Sequence, residues 1–492
     1  MKKYTLALVV FLFLYVSCNK DDDGGIQGPG TDSVSTQDFM WKAMNIWYFW
    51  QSDVENLADD RFTTNEEYNE FLQSEEDPAV FFNSQLRFSE DRFSFFNEDY
   101  KELTNNLSGI SRSNGVEFGL FFAGDGTDNI FGYVRYIVAN SDASNKDISR
   151  GELFSGVDGQ TLTEANYRDL LFGENAIYTL NMADIDNGVV TPNGKNVELT
   201  KQDGLVENPV FITRTYEING QTIGYLMYNG FTNEFDENLN NAFGELKAAG
   251  VTDLVLDFRY NPGGSVNSSR LISSMVYGTN TNEVYIRQRW NDKIQGQFNE
   301  ADLVDFFANQ TGEGTPINTL NLSRVYVIIT NSSASASELV INGLNPYMDV
   351  IKIGDTTRGK NEFSLTLVDD PDRDGAPYIY SPSRENQINP DNQWAIQPLV
   401  GRNENSVGFF DYTAGFAPEI LLNEDLENLG VLGDLNEPLL AKAIEEITGV
   451  TGKKSFEVKS PVEPFTNSKM FRPMKDIMIM DKPLNFKLPN SY

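Results

Sequence analysis

Residues 254–264, with the sequence LVLDFRYNPGG, form an apolar β-rich run that ends in two glycines. The run predicts a buried strand, and the glycines predict a tight turn into the next element. Amphipathic or apolar spacing predicts helices on both sides of this strand, over 234–249 and 264–277. The alternation continues with strands predicted at 222–228, 324–330 and 349–353 and a helix at 335–344. This order predicts a layered α/β fold.

The glycine pair at the end of the run has two interpretations. Backbone amides at Gly263 and Gly264 can approach a substrate carbonyl closely, as an oxyanion hole requires. The alternative is a simple strand-to-helix turn, and taken alone the pair favours that alternative. The spacing does not match the G-x-G-x-x-G pattern of dinucleotide-binding proteins.

A second segment, SASASE at residues 333–338, also lies between a predicted strand and a predicted helix. Ser335 at this position could use the exposed amides of a helix start, including that of Ala336, to stabilise an oxyanion. The same letters form a capping box, S-x-x-E, so a plain helix cap is the serious alternative. Ser333 and Ser337 compete with Ser335 for the role of nucleophile.

The chain has no histidine, so imidazole cannot activate a serine. The remaining familiar base is a lysine amine that burial keeps neutral. Lys360 ends the segment GDTTRGK, residues 354–360, and stands 25 positions after Ser335. Its pKa would have to fall by about three units from about 10.4, which requires substantial burial. The alternative is a solvated surface lysine.

In combination and in this order, LVLDFRYNPGG, SASASE and GDTTRGK resemble the C-terminal processing peptidases, also called tail-specific proteases. The resemblance covers most of residues 36–447 and implies a catalytic core similar to Clp protease and crotonase. It implies that Ser335 is the nucleophile and Lys360 the general base. It also implies an oxyanion hole made by the amides of Ala336 and either Gly263 or Gly264.

Two positions depart from the pattern of that family. Ser364 stands where many relatives have a glutamine that orients the lysine amine, and a serine has a shorter reach. Arg358 stands where relatives commonly have an aromatic residue. Its charge could lower the pKa of Lys360 if the two side chains approach, or it could point to solvent.

Residues 108–203 resemble a PDZ domain. A glycine-containing strand with Glu117, Phe118, Gly119 and Leu120 is followed by an Asp158-Gly159 turn and a helix predicted over 163–172. PDZ domains bind an extended chain end as an added strand, and backbone amides receive its carboxylate. The four strand residues are therefore the candidate substrate-binding residues. The alternative is a small β domain without a peptide groove.

The first eighteen residues resemble a bacterial lipoprotein signal, with Lys2 and Lys3 before a short apolar stretch and Cys18 after Ser17. We expect an exported lipoprotein anchored to the outer membrane through Cys18, on its periplasmic or cell-surface side. The alternative is an ordinary signal peptide. The acidic run at 21–23 resembles the surface-export signal of Bacteroidota lipoproteins, and a solvated linker is an equal alternative.

These patterns divide the chain into six parts. They are a signal peptide at 1–18, a flexible linker at 19–35, a helical domain at 36–107, the PDZ-like domain at 108–203, the catalytic domain at 204–447 and a tail at 448–492. The tail has little periodicity and could wrap around the body or remain loose.

The net charge of −34 excludes a basic footprint for nucleic acid. Residues 370–375, DPDRDG, imitate the start of a calcium loop, but Ser381 replaces the glutamate of the twelfth position. We therefore favour an acidic turn and expect neither a metal nor a cofactor.

The functional hypothesis is a serine endopeptidase with a Ser-Lys dyad, which acts through an acyl-enzyme on polypeptides presented by their C-terminal ends. The alternative is an inactive peptide-binding lipoprotein with the same fold. A crotonase-type acyl-CoA enzyme shares the oxyanion geometry but fits poorly with export and a PDZ-like domain.

Overall fold

The computed structural model describes residues 34–186, 188–449, 464–472 and 475–481. The predicted signal peptide, Cys18 and nearly all of the predicted linker lie outside these ranges. Among the described helices, none combines the length and the apolar character needed to cross a lipid bilayer.

The N-terminal region is helical, as predicted. Its elements are α1 (Ser35–Trp47), α2 (Asn65–Leu72), α3 (Pro78–Phe81), the short strand β1 (Phe95–Asn97) and α4 (Tyr100–Leu107). The predicted apolar stripe of α1, which includes Phe39 and Trp47, is buried. The Trp47 ring meets Trp290 edge-on at 6.5 Å between centroids, and β1 pairs with residues 395–397. These helices therefore share a core with the larger α/β region.

The second region is a β domain with its own apolar cluster. Its strands are β2 (Ile110–Ser113), β3 (Val116–Phe122), β4 (Ile130–Ile137), β5 (Leu153–Val157), β6 (Gln160–Thr161), β7 (Ile177–Asp186), β8 (Val189–Thr200) and β9 (Gln202–Val206). Strands β3, β4, β5, β7 and β8 pair in that order. The predicted Asp158-Gly159 turn is present, because both residues have positive φ and join β5 to β6.

The helix predicted over 163–172 is shorter than expected, because only Arg168–Phe172 forms a helical turn. Thr163 forms an antiparallel bridge with Asn129, and the amide of Glu164 donates to Asp128 O at 2.9 Å. These contacts hold residues 163–164 against the end of the preceding loop, so the helical turn begins later in the segment.

The third region is the predicted α/β core. Its elements are β10 (Val210–Ile218), β11 (Gln221–Tyr228), α5 (Asp236–Ala248), β12 (Asp253–Asp257), β13 (Gly264–Ser265), α6 (Val266–Val276), β14 (Val284–Trp290), α7 (Asp292–Gln295), β15 (Val304–Phe306), β16 (Arg324–Ile329), α8 (Ala336–Leu344), β17 (Asp349–Gly354), β18 (Glu362–Ser364), β19 (Leu367–Val368), β20 (Ala395–Gln397), β21 (Leu399–Asn405), β22 (Ile420–Leu421), α9 (Pro438–Thr448), β23 (Pro464–Asn467) and β24 (Met478–Ile479).

The main sheet of this core has the strand order β10-β11-β12-β16-β17-β22. Strand β10 is antiparallel to β11, and the other neighbours are parallel. Strand β12 is buried along its whole length, as expected for a parallel strand covered on both faces. The carboxyl ends of β12 and β16 lie side by side, and in open α/β sheets such ends border the ligand crevice.

A second sheet has the strand order β13-β24-β18-β21-β14-β15. Strand β24 comes from the C-terminal end of the chain and lies between β13 and β18, parallel to both. Strand β23, from the same end, pairs antiparallel with β3 of the β domain. The described parts of the C-terminal tail thus lie against the body of the protein, and the rest of the predicted tail lies outside the described residues.

Candidate active site

Ser335 lies where β16 leads into α8. It is fully buried, and its φ of +62° lies in a region that non-glycine residues rarely adopt, a strain that clusters at functional sites. Ser335 and Glu338 stand in the predicted capping-box arrangement at the start of α8, but Ser335 Oγ makes no hydrogen bond of normal geometry with any described residue. By contrast, Ser333 Oγ donates to Phe258 O at 2.8 Å and Ser337 Oγ donates to Asn261 O at 3.1 Å. Of the three competing serines, Ser335 is the one whose hydroxyl is not committed to the backbone.

The NPGG turn places the backbone of Gly263 directly against Ser335. Gly263 has a φ of +108°, and a Cβ on it would lie 2.7 Å from Ser335 Cβ and 2.9 Å from Ser335 Oγ. Only glycine allows this approach. The amide of Gly263 donates to Asn261 Oδ1 at 3.0 Å, whereas the amide of Gly264 donates to Ile477 O at 2.7 Å. Gly264 is therefore the glycine whose amide points away from the turn, towards the C-terminal residue Ile477.

Lys360 is buried, as a lysine base requires. Burial lowers its pKa to about 8, although Asp476 and other nearby carboxylates act in the opposite direction. Its Nζ donates to the main-chain carbonyl of Asp476 and lies 5.1 Å from the centre of the Phe93 ring. Because Ser335 Oγ has no partner, the amine and the hydroxyl do not form a direct hydrogen bond in this structure.

One carboxylate connects the two segments that carry Ser335 and Lys360. Glu338 Oε2 accepts from the amide of Ser335 at 2.7 Å and from the amide of Lys360 at 2.9 Å. Glu338 Oε1 accepts from Gly359 N and from Thr357 Oγ1, both at 2.6 Å. Burial raises the pKa of Glu338 to about 7, and these four hydrogen bonds oppose that rise. The sequence indicated Glu338 as a capping residue but gave no signal for its contact with the lysine segment.

The two departures from the family pattern have defined contacts. Ser364 Oγ donates to Met478 O at 3.0 Å and accepts from Gln397 Nε2 at 3.0 Å. It therefore contacts the C-terminal strand, and it is not the group that orients Lys360. The Arg358 side chain remains partly exposed and forms an ion pair with Asp476 at 3.2 Å, so its charge is directed to that carboxylate.

The predicted substrate-binding residues Glu117, Phe118, Gly119 and Leu120 form one stretch of β3. This stretch is covered by the chain's own C-terminal residues 464–468. The Glu117 side chain points inward, where its Oε2 accepts from Ser468 Oγ at 2.6 Å.

A buried charge network supports the NPGG turn from below. Arg259 is fully buried and pairs with Asp257 at 2.7 Å, with Glu437 at 2.7 Å and with Glu424 at 3.2 Å. Glu424 also pairs with Arg150 of the β domain at 2.8 Å. These contacts hold both cations at the end of β12, and they link the orientation of the β domain to the turn.

The sequence of the chain matches two known domains. Residues 222–378 match peptidase family S41, and residues 35–95 match the peptidase S41 N-terminal domain. These matches confirm the family resemblance drawn from the three motifs.

Individual relatives within that family are carboxyl-terminal processing proteases. The protease of that name from Picosynechococcus sp. is 28% identical over 166 residues, which is 34% of this chain and 35% of the relative. Carboxyl-terminal-processing peptidase 3 of Arabidopsis thaliana chloroplasts is 25% identical over 247 residues, which is 47% of this chain and 43% of the relative. The matched parts therefore span less than half the length of these relatives.

A crystal structure of an S41 protease from Bacteroides fragilis has the same fold. It superposes with a TM-score of 0.63 at 24% identity, over 84% of this chain and 97% of that one. This likeness covers most of the chain, and it confirms the predicted α/β fold class.

Proposed function

We propose that this protein is a serine endopeptidase that cleaves polypeptides with a Ser335–Lys360 dyad. The proposal rests on the presence, in one buried site, of a strained Ser335 with an unpartnered hydroxyl and of a Lys360 whose pKa burial lowers. Both residues are attached through their amides to Glu338. This arrangement fits a serine activated by a lysine base.

In the proposed mechanism, Ser335 Oγ attacks a peptide carbonyl carbon while neutral Lys360 accepts the hydroxyl proton. The amides of Gly264 and Ala336 stabilise the negative charge on the carbonyl oxygen. The ammonium of Lys360 then donates its proton to the leaving amine as the C–N bond breaks, which leaves an acyl-enzyme on Ser335. Lys360 next activates a water that hydrolyses the ester and regenerates the hydroxyl.

The β domain would present the polypeptide. Its strand β3 already accepts an added antiparallel strand, which is the way a PDZ domain binds a peptide. We therefore propose a PDZ-like role for this domain, with substrates recognised near their C-terminal ends. We also propose attachment to the outer membrane through a lipid on Cys18.

Cleavage of an unstructured polypeptide by the purified protein tests the activity. Ser335→Ala and Lys360→Ala should each abolish cleavage, whereas Ser383→Ala and Lys247→Ala, at exposed positions remote from the site, should not. Cleavage that survives both dyad substitutions would contradict the dyad.

A second candidate function is peptide binding without catalysis. Lys360 Nζ is hydrogen-bonded to Asp476 O and Ser335 Oγ has no partner, so the dyad is not assembled in this structure. If this candidate is correct, the unsubstituted protein binds peptides but cleaves none, and Ser335 does not react with an acylating probe.

A further inference from the structure

The C-terminal segment, defined here as residues 464–472 and 475–481, contacts both the β domain and the residues around Ser335. It supplies β23 to the first and β24 to the second. The proposed path of a substrate therefore already contains a peptide, and that peptide belongs to the same chain.

In the β domain, this segment occupies the strand-addition site. Thr466 lies opposite Leu120 and Asn467 opposite Gly119 in antiparallel register. Beyond them, the amide of Phe118 donates to Ser468 Oγ at 3.1 Å. The segment thus engages the part of β3 that was predicted to bind substrate.

Aromatic side chains of the segment fill the groove between β3 and the helical turn Arg168–Phe172. The Phe465 ring packs against Phe122 and Tyr167 with centroid distances of 4.9 Å and 5.0 Å. The Phe471 ring stacks on Phe172 at 4.2 Å. Aromatic anchors in a groove are the contacts that usually supply most of the affinity of a bound peptide.

Ion pairs fix the same part of the segment. Arg472 pairs with Glu117 and, at 3.5 Å, with Glu207. Lys469 Nζ donates to Asn229 O at 2.7 Å. The acidic groups of the β domain and its border with the core therefore favour a basic ligand at this point.

Near Ser335, the segment forms hydrogen bonds with main-chain groups that a substrate would also need. Ile477 O accepts from the amide of Gly264 at 2.7 Å, and a Cβ on Gly263 would lie only 2.4 Å from that oxygen. The amide of Met480 donates to Ser364 O at 3.0 Å. The carbonyl oxygen of Ile477 thus accepts the hydrogen bond of the Gly264 amide, which is the amide assigned to the oxyanion hole beside Ser335.

Hydrogen bonds also join the segment to Lys360 and to the start of α6. Lys360 Nζ donates to Asp476 O. Asp481 lies at the start of α6, where Ser265 Oγ donates to its carboxylate at 2.5 Å and the amide of Asn267 donates at 3.2 Å. The segment is therefore anchored on both sides of Ile477.

We propose that the C-terminal segment is a tethered peptide ligand of this chain's own site, which blocks the substrate path in cis until a polypeptide displaces it. The proposal deepens the proposed function and rests on it. It also defines the chemistry of a competing ligand, which is an extended peptide with aromatic and basic side chains for the β domain and an Asp-Ile-Met stretch for the residues around Ser335.

The covalent link makes this competition effective. Covalent attachment of a ligand can give an effective concentration on the order of 1 mM, so a segment with an intrinsic Kd of about 0.1 mM would occupy the site about nine-tenths of the time. A free peptide would then bind about tenfold more tightly to a chain whose own segment had been released.

Peptide binding in full-length Ser335→Ala protein tests this inference without any cleavage. The probe is a labelled synthetic peptide with the sequence of residues 464–481. The released variant carries Phe471→Ala and Ile477→Ala, and the matched control carries Lys475→Ala, since that side chain is exposed in the same segment. We expect about tenfold tighter binding by the released variant, and equal binding by the parent and the control. Equal binding by all three proteins would overturn the proposal.

Hydrogen exchange of the Ser335→Ala protein provides the second measurement if the released variant does not fold. A tethered ligand opens locally, so the amide of Met480 should exchange much faster than the amides of β16. Exchange as slow as that of β16 would show a permanent structural strand and overturn the inference. Because Ser335→Ala removes the nucleophile from both measurements, neither depends on whether the natural protein is a protease.

Discussion

Substitution of the proposed base by an apolar residue of similar length should stabilise the folded protein. Lys360 is buried, and its pKa falls from the ordinary value of 10.5 to about 8. At about 1.4 kcal/mol for each pH unit, the buried ammonium costs about 3 kcal/mol of folding free energy. Lys360→Met removes this cost but also removes the hydrogen bond to Asp476 O, which contributes about 1 kcal/mol. The expected net gain at pH 7 is about 2 kcal/mol.

The sign of the pH dependence follows from the two pKa values. Below pH 8 the lysine is protonated in both the folded and the unfolded chain, so the full cost is present. Between pH 8 and 10.5 the unfolded chain binds more protons, and the stability of the unsubstituted protein rises with pH. The advantage of Lys360→Met should therefore be largest below pH 8 and should shrink towards pH 10.5.

Urea unfolding of both proteins between pH 6.5 and 10 measures this difference. Lys352→Met is the matched control, because Lys352 is also buried but pairs with Glu419 at 2.7 Å, and its loss should not stabilise the fold. A Lys360→Met protein that is less stable than the parent at pH 7, or a difference that does not change with pH, would refute the assignment of Lys360 as a strained buried amine.

Three further predictions concern the same site. Polypeptide cleavage should rise about tenfold between pH 7 and 9, because about one-tenth of a base with a pKa of about 8 is neutral at pH 7. Initial rates measure this rise, and a flat profile over this range would contradict a lysine base. Gly263→Ala should lower kcat/KM by about 100-fold or more, because the new Cβ would lie 2.9 Å from Ser335 Oγ and displace the hydroxyl, and a displacement of about 1 Å costs about that factor. Steady-state kinetics measures this loss, and the control is Gly312→Ala, where a Cβ meets open space. Glu338→Gln should destabilise the fold by about 2 to 6 kcal/mol, because the NH₂ group of the glutamine would face two of the four donors that now bond the carboxylate. Thermal unfolding measures this loss of stability, and a loss under 0.5 kcal/mol would show that Glu338 does not hold the Ser335 and Lys360 segments together.

The sequence predicted the elements that are buried on both faces. The predicted strand at 324–330 and helix at 335–344 correspond to Arg324–Ile329 and Ala336–Leu344. Long apolar runs of this kind have few alternative placements in a folded chain. By contrast, residues 163–166 were predicted as helix but form a bridge and a turn, because Thr163 pairs with Asn129, a contact that no local pattern specifies.

The candidate site was predictable to the extent that its residues lie in recognisable motifs. Ser335 and Lys360 were identified, but the strained φ of Ser335 has no sequence signal. The role of Glu338 for Lys360 depends on a contact across 22 positions that no local pattern specifies. Strand β24 could not be predicted, because residues 478–479 are extended only through pairing with β13 and β18.

The Glu338 carboxylate has a consequence for how this site tolerates change in chain length. It holds the amides of Ser335 and Lys360 directly, and the amide of Arg358 also donates to Ser333 O at 3.0 Å. The relative position of the two segments is therefore set by contacts between them and by the pairing of β16 with β17, and not by the turn after α8. An insertion at the exposed Asn345, in the turn after α8, should therefore lengthen the connection and leave the relative position of serine and lysine unchanged. The carboxylate therefore makes the geometry of the site tolerant of length changes in that one turn, while α8 and β17 remain fixed by their packing.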